Sequence, residues 1–160
     1  QRIQHAGTVL GIAGVAAHAY RWQPRGTPGF FGRAGLIQNL SAVTAACFVV
    51  PAKVYGEVGG LDERNLSIAF NDVDLCLRIG ERGYRIVWTP HAELYHHESA
   101  SRGLDTDPDK RKRFAAEVAY MQRRWGALLQ HDPCHNPNLW LDYHDWGLAS
   151  PPRIGKLASG

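Results

Sequence analysis

The sequence has little of what marks secreted, membrane or nucleic-acid-binding proteins. Its three cysteines (Cys47, Cys76 and Cys134) are too few and too scattered for a disulfide framework, which favours a reducing compartment. The longest apolar runs, residues 8–17 and 42–50, are shorter than the roughly 18 residues that a membrane span needs. The net charge is only +3, so no concentrated positive charge indicates nucleic acid. We therefore expect a cytoplasmic protein with no nucleic-acid partner.

The composition is instead that of a loop-rich α/β protein. Of the 160 residues, 44% are hydrophobic, and there are 17 glycines and 9 prolines. This length suits one domain, or one lobe of a larger domain, and can bury a sizeable core. Because the first residue is Gln1 rather than Met, and the pattern there already resembles the middle of a domain, we expect a fragment of a longer protein.

The hydrophobic pattern predicts short strands followed by helices. It predicts one or two strands in residues 1–20, a long loop over 21–35, a buried strand over 41–50, and a short helix closing on Gly59 and Gly60. Further along it predicts a helix over 70–82, a strand over 84–88 and a loop over 91–107. A long helix should then run from Asp107 to about residue 130, followed by a tail without periodicity.

Asp72 is the first candidate for chemistry. It lies in the first turn of the predicted helix over 70–82, where the helix dipole favours the ionised carboxylate. Such a carboxylate can accept a proton from a bound hydroxyl as a general base. The alternative is that Asp72 only caps the helix, a common use of aspartate. Nearby, an ion pair with Arg78 on the polar face is enough to explain Asp74.

A second candidate is the cluster His96, His97 and Glu98. Imidazole and carboxylate groups together can bind a divalent ion such as Mn²⁺. Since adjacent side chains on an extended backbone point to opposite sides, we expect only one of the two histidines to bind it. The alternative is a hydrogen-bonded structural histidine pair. A zinc site can also be assembled, but its spacing matches no usual zinc-finger pattern; its residues would be His131, Cys134, His135 and His144.

The long helix carries basic residues on its polar side, at 110–113 and at Arg123 and Arg124. Such a face is usually solvated, but it can also contact phosphates or an anionic membrane surface. An apolar stripe on the same helix predicts core packing; it comprises Phe114, Val118, Met121, Trp125 and Leu128. The alternative to an enzyme is therefore a non-catalytic binding or assembly module that uses the basic helix and the aromatic tail.

Residues 42–103 contain a series of elements in a recognisable order: an apolar strand, VYGEVGGLDE, the helix FNDVDLCLRIGERGYR, a short strand ending in Pro90, and a loop with HHES. In this order they resemble the C-terminal half of a family 2 glycosyltransferase with the GT-A fold. HHESASRG, the basic helix, RRWG and the tail are similar to bacterial enzymes that build O-antigen and other surface glycans. The resemblance, over about residues 1–153, implies a partial GT-A α/β fold: a mixed sheet with flanking helices, a C-terminal helix and an irregular tail.

The resemblance also implies roles for individual residues. The family's Glu-Asp pair falls on Asn71 and Asp72, which makes Asp72 the general base; the change from Glu to Asn at Asn71 departs from the family pattern. The acceptor site is implied around Gly59, Gly60, Asp62 and Asn71.

The resemblance matches His96 to a late histidine of the family, with His97 as the second choice. This histidine would help to hold a divalent cation (Mn²⁺ or Mg²⁺) or the donor diphosphate. Residues 1–106 would form the acceptor-side half of the GT-A domain. Residues 107–160 would add a helix and tail that pack on it.

The implied reaction transfers a sugar from a nucleotide-diphospho-sugar donor to a hydroxyl of a glycan or lipid-linked acceptor, with inversion. The cation would neutralise charge on the departing diphosphate. The resemblance places the nucleotide-binding strands in an N-terminal half, so we expect that half to be the chain's partner and the chain alone to be inactive. We also expect exposed apolar surface, self-association, and peripheral contact with the inner membrane face.

Overall fold

The computed structural model describes residues 1–97, 107–141 and 146–153. These residues form a mixed α/β structure with short strands and a long C-terminal helix. The strands are β1 (Thr8–Leu10), β2 (Ala16–His18), β3 (Gln38–Leu40) and β4 (Ile86–Trp88). The helices are α1 (Ala52–Glu57), α2 (Asn71–Glu81) and α3 (Pro108–Gln130). Short 3₁₀ helices lie at Ile12–Gly14, Phe30–Gly35 and Ala45–Cys47.

The strands pair as two antiparallel ribbons. β1 pairs with β2, with Val9 opposite Ala17, and β3 pairs with β4, with Asn39 opposite Val87. An isolated bridge between Thr8 and Ala42 joins the two ribbons. Within the described residues the strands form two separate two-stranded sheets, where one mixed sheet was expected. Each strand has only three residues, which limits how far pairing extends from one ribbon to the next.

The predicted strand over residues 41–50 is wrong for most of its length. Only its first residues are buried, and Ala42 alone takes part in a strand-like bridge. The chain then turns into the 3₁₀ helix because Thr44 caps it, with the Thr44 hydroxyl accepting from the Ala46 amide at 3.3 Å. Val49, predicted to be in the core, is 96% exposed. The apolar composition of the segment therefore predicted a strand where the structure has a turn.

The helix predicted over residues 70–82 is confirmed as α2. It begins after Phe70, which adopts a left-handed conformation (φ 61°), and the left-handed Gly83 follows its end. Six of the seven residues from 73 to 79 are buried, so α2 lies within the core rather than on its surface. Asp74, which the sequence placed on the polar face of this helix, is completely buried.

The long helix α3 is also confirmed. The Asp107 carboxylate caps it by accepting from the Asp109 amide at 2.9 Å, and Pro108 opens the first turn. Met121 and Trp125 are buried as predicted, whereas Phe114 is half exposed. In the part of the chain that the structure describes, no helix, α3 included, is long and apolar enough to cross a membrane.

Asp132 fixes the start of the tail against the first ribbon. Its buried carboxylate accepts from the Leu10 amide and the Cys134 amide, both at 2.8 Å, and from the Ser41 hydroxyl at 2.5 Å. These three bonds join β1, the segment after β3 and the residues after α3. The tail itself is irregular, as predicted, with turns and an isolated bridge between Leu139 and Leu148.

Candidate functional site

Asp72 lies in the first turn of α2, where the sequence placed it, and is half-buried. Its Oδ1 accepts from the Val73 amide at 2.8 Å, and its Oδ2 accepts from the Ala45 amide at 3.1 Å. Phe70, and not Asp72, is the N-cap residue. An ionised carboxylate has about four acceptor positions, so two backbone bonds leave room for a hydroxyl donor. Asp72 is thus anchored to the backbone, and its bonds extend beyond its own helix.

The 3₁₀ turn that holds Asp72 forms one wall of an open cleft of about 1500 Å³. Thr44 and Ala46, the neighbours of Ala45 on both sides, line this cleft, and so does His96. His96 and His97 are both exposed, whereas Glu98 lies outside the described residues. His96 and the turn that binds Asp72 thus line the same cleft.

The Gly59–Gly60 turn is tied to α2 by the side chain of Arg78. Arg78 Nη2 donates to the Gly60 carbonyl at 2.6 Å, and Nη1 donates to the Val58 carbonyl. Both glycines have positive φ values, 78° and 68°, which an L side chain rarely adopts. A Cβ on Gly60 would also approach the Tyr55 ring to 3.0 Å. The turn is therefore fixed in shape next to α2.

Asp62, also expected at the acceptor site, already has partners. Its carboxylate accepts from the Asn65 amide at 3.0 Å and from the Tyr120 hydroxyl at 2.7 Å. Partial burial alone would raise the pKa of Asp62, but the bonds from Tyr120 and Asn65 lower it. The carboxylate thus holds the loop after Gly60 against α3. Asn71, the remaining predicted acceptor residue, is the first residue of α2 and is half-buried.

Asp74 connects this region to α3. The predicted ion pair is present, with Arg78 Nε 2.7 Å from Asp74 Oδ2. The other oxygen accepts from Trp125 Nε1 at 2.9 Å and lies 3.5 Å from Arg124 Nε. A buried carboxylate needs such partners, because an uncompensated charge in the core is costly. Asp74 and Arg78 thus form one network with Trp125 and the Gly60 turn.

Glu117 is a residue that the sequence reasoning missed. It is 2% exposed, and its carboxylate accepts from the Ser67 hydroxyl at 3.1 Å, the Ile68 amide at 3.0 Å and the Ala69 amide at 3.2 Å. These bonds fix the residues directly before α2 from the side of α3. The available signal was the helical spacing, since Glu117 lies between Phe114 and Met121 on the predicted buried stripe.

His5 was also missed, since nothing in the sequence places it near Asp72. Its Nε2 accepts from the Thr44 amide at 3.2 Å, and its ring lies edge-on to His18 with 5.0 Å between ring centroids. Burial, reinforced by the nearby His18, lowers the pKa of His5 to about 3. His5 is therefore a neutral hydrogen-bond acceptor at ordinary pH.

The described residues do not by themselves form a metal site. Among residues 1–97, 107–141 and 146–153, no group of three or more His, Cys, Asp or Glu side chains could hold a metal ion. This includes His131, Cys134 and His135 of the zinc hypothesis, whose fourth residue, His144, lies outside those ranges. The Nε2 of His135 instead lies 3.3 Å from the Trp140 carbonyl oxygen.

Comparison with known proteins identifies homologues. The chain is 54% identical over 150 residues to an uncharacterized protein, y4gI, of Sinorhizobium fredii, and 38% identical over 157 residues to the O-antigen biosynthesis protein RfbC of Myxococcus xanthus. It is also 40% identical over 63 residues to the N-acetylglucosaminyl-diphospho-decaprenol L-rhamnosyltransferase of Mycobacterium tuberculosis. The chain is related to glycosyltransferases.

These matches cover a larger share of this chain than of its relatives. The first two cover 94% and 96% of this chain but only 16% and 12% of the relatives, and the third covers 39% of this chain and 20% of the rhamnosyltransferase. The chain thus spans a small part of the curated relatives it matches. No protein-family model and no solved structure matches the chain.

Proposed function

We propose that this chain is the acceptor-side part of a bacterial glycosyltransferase for cell-surface polysaccharide, such as O-antigen. The proposed enzyme moves a sugar from a nucleotide-diphospho-sugar to a hydroxyl of a glycan or lipid-linked acceptor. Homology to RfbC and to the rhamnosyltransferase supports the class of reaction. The proposed fold is the acceptor half of a GT-A domain over residues 1–106, with residues 107–160 packing on it.

In the proposed reaction, Asp72 is the general base. Its carboxylate takes the proton from the acceptor hydroxyl as the hydroxyl oxygen attacks the anomeric carbon of the donor sugar. The bond from that carbon to the diphosphate breaks, and its electron pair leaves with the nucleoside diphosphate. Attack from the face opposite the leaving group inverts the anomeric configuration.

One observation carries this role for Asp72: two backbone amides fix its carboxylate, and two such bonds use only part of the acceptor capacity of a carboxylate. The amides belong to α2 and to the turn at Ala45, so the carboxylate is held between two elements. A base held in this way needs little reorganisation when the hydroxyl arrives. The nearby Asp74 and Asp62 are less suited, because Asp74 is completely buried and Asp62 is bonded to Tyr120 and Asn65.

The acceptor is proposed to bind beside the Gly59–Gly60 turn, Asp62 and Asn71. Arg78 and Asp74 keep that turn in place against α2. Because the turn exposes Gly59 and offers backbone groups beside α2, it suits a polar, hydroxyl-rich ligand. A fixed turn of this kind would orient the acceptor relative to Asp72.

We propose a divalent cation whose ligands come in part from the rest of the enzyme. When bound, Mn²⁺ or Mg²⁺ would neutralise charge on the donor diphosphate. The described residues do not complete a site for it. His96, with His97 as the second choice, is proposed as the imidazole of this chain that faces the donor side, since His96 lines the open cleft.

The rest of the enzyme is proposed to pack against the open cleft. Several apolar side chains on its wall are exposed: Val49, Val87, Leu94 and Tyr95. Such a patch is typical of a surface that another structure covers.

We use the term completed enzyme for a polypeptide in which a nucleotide-sugar-binding half precedes this chain. Its lipid-linked acceptor would bring it to the inner face of the membrane as a peripheral protein.

Thermal unfolding of the chain and of the completed enzyme tests this proposal. Each is measured with UDP, GDP and dTDP, with and without Mn²⁺, and sugar transfer is measured in parallel. We expect nucleotide and metal together to stabilise the completed enzyme alone, since a ligand that binds only the folded state raises its melting temperature. The nucleotide with the largest shift identifies the donor class.

Two results would contradict the proposal. Strong stabilisation of the 160-residue chain by a nucleotide would place the donor site in this chain and overturn the division into halves. A completed enzyme that neither binds a nucleotide nor transfers a sugar would favour the binding or assembly module instead.

A further inference from the structure

Two consecutive backbone amides connect His5 with Asp72. The Thr44 amide donates to His5 Nε2 at 3.2 Å, and the next amide, that of Ala45, donates to Asp72 Oδ2 at 3.1 Å. Neighbouring peptide groups are joined through a single Cα, so holding one amide restricts the orientation of the next. His5 and Asp72 thus hold the same turn through adjacent peptide groups, although 67 positions separate them in sequence.

We propose that His5 is a positioning residue for Asp72, acting through the turn at Thr44 and Ala45. This inference rests on the proposed role of Asp72 as general base. His5 itself does not contact the Asp72 carboxylate. It fixes the Thr44 amide so that the Ala45 amide faces the carboxylate, and the carboxylate is thereby kept in one orientation beside the acceptor position.

The surroundings of His5 suit a hydrogen-bond acceptor that stays neutral. Its ring is held by the edge-on contact with His18, and the Thr8 hydroxyl lies 3.5 Å from the same Nε2. Because Nε2 accepts from Thr44, the ring proton of the neutral imidazole lies on Nδ1. A protonated ring would carry hydrogen on both nitrogens and could not accept from the Thr44 amide. The low pKa of His5 is consistent with this arrangement.

His5 also lines the open cleft with Thr44 and Ala46. Its bond to Thr44 therefore holds a turn in the wall of this cleft, next to the amide that binds Asp72. The Thr44 hydroxyl caps the same turn by accepting from the Ala46 amide, and that bond does not depend on His5. Removal of the imidazole should consequently loosen the orientation of the Thr44 and Ala45 amides without unfolding the turn.

Amide hydrogen exchange of the 160-residue chain, measured by NMR, tests the connection. His5→Leu removes the acceptor, whereas the amide oxygen of His5→Gln falls close to the place of Nε2. His5→Asn is the matched control, because its oxygen is one bond too short to reach the Thr44 amide. We expect exchange at Thr44 and Ala45 to become about tenfold faster in the Leu and Asn variants and to return towards the original rate in the Gln variant.

The Leu10 amide provides an internal reference, since it is held by Asp132 and not by His5. A purely structural role for His5 would speed exchange at Leu10 as much as at Ala45. Equal exchange at Ala45 in the Leu and Gln variants, or equal acceleration at Leu10 and Ala45, would overturn the proposal. The neighbouring variant His18→Phe should leave exchange at Thr44 close to its original rate.

Steady-state kinetics of the completed enzyme then test the positioning role itself. We expect His5→Leu to lower kcat for sugar transfer about tenfold while the KM for the donor stays the same, with recovery in His5→Gln. An unchanged kcat in His5→Leu would overturn the inference. If the unsubstituted completed enzyme transfers no sugar, the proposed function fails, and the exchange data still report separately whether His5 holds the turn.

Discussion

The indole nitrogen of Trp125 donates a hydrogen bond to the fully buried carboxylate of Asp74, at 2.9 Å. This bond joins the C-terminal part of α3 to the first turn of α2. The same carboxylate is bound by Arg78, which in turn holds the carbonyl of Gly60. The long helix therefore does more than cover the core, because it fixes both the helix that carries Asp72 and the turn proposed to bind the acceptor.

Removal of the Asp74 carboxylate should strongly destabilise the chain. Asp74→Ala leaves Arg78 and the Trp125 indole without their partner in the core, and we expect a loss of about 3–5 kcal/mol in the free energy of unfolding. Trp125→Phe keeps the ring packing and loses one bond to a charged group, so it should cost about 1.5–3 kcal/mol. Urea unfolding measures both. Glu63→Ala, at an exposed position, is the control; an Asp74→Ala loss as small as the control's would contradict this interpretation.

Glu117 should be needed for the segment that leads into α2. Glu117→Ala leaves the amides of Ile68 and Ala69 without their acceptor, and we expect a loss of about 2–3 kcal/mol. Glu117→Gln keeps one acceptor oxygen and should lose about half as much. The measurements are urea unfolding and hydrogen exchange at Ala69. If exchange at Ala69 is the same in the Ala variant as in the original chain, Glu117 does not hold this segment.

Acid should destabilise the chain through His5. Its pKa in the folded state is about 3, because of burial and then of His18, whereas the ordinary value is 6.5. Between these values the unfolded chain binds a proton that the folded chain does not, so stability falls as the pH is lowered from 6.5 towards 3, by at most about 1.4 kcal/mol per pH unit. Burial also lowers the pKa of His135, which acts in the same direction.

The variant His5→Gln isolates this effect, because glutamine does not titrate. Unfolding by urea at several pH values should give a shallower dependence on pH for His5→Gln than for the original chain. Parallel curves for the two proteins would show that His5 is not buried as a neutral imidazole. The variant His135→Gln should give a separate, smaller reduction of the slope.

The exposed apolar wall of the cleft should cause the chain to associate with itself. Val49 and Leu94 both line the cleft and are largely exposed. We expect Val49→Ser and Leu94→Ser to shift the chain towards monomer in sedimentation measurements over a range of concentrations. The matched control is Leu148→Ser, an exposed leucine away from the cleft. An equal effect of all three variants would indicate non-specific association.

The sequence predicted the helices better than the strands. In α2 and α3 the boundaries follow from local signals, such as Gly83 after the end of α2 and the Asp107–Pro108 pair at the start of α3. The segment after β3 was misread because apolar residues suit both a buried strand and a turn at the edge of a cleft. Its conformation depends on the hydroxyl of Thr44 and on a distant histidine, His5.

The residues of the candidate site divide in the same way, into those set by local sequence and those set by contacts with distant segments. The position of Asp72 in the first turn of α2 was predicted correctly because it depends on local sequence, whereas its role as a base stays a prediction. His5 and Glu117 could not be assigned roles, because their partners lie 39 and about 50 positions away along the chain. For Asp74 the sequence predicted the ion pair with Arg78 but not the burial, which the distant Trp125 makes possible by donating to the same carboxylate. Contacts between distant segments thus decide which polar residues are structural.

The most direct test compares two aspartates at equivalent helix positions. Asp72 and Asp109 are each the second residue of their helices, α2 and α3. In the completed enzyme, we expect Asp72→Asn to lower kcat for sugar transfer by about 10²- to 10⁴-fold, as loss of a general base does, with little change in unfolding. Asp109→Asn should leave kcat unchanged. Transfer at the original rate by Asp72→Asn would contradict the assignment of Asp72 as the general base.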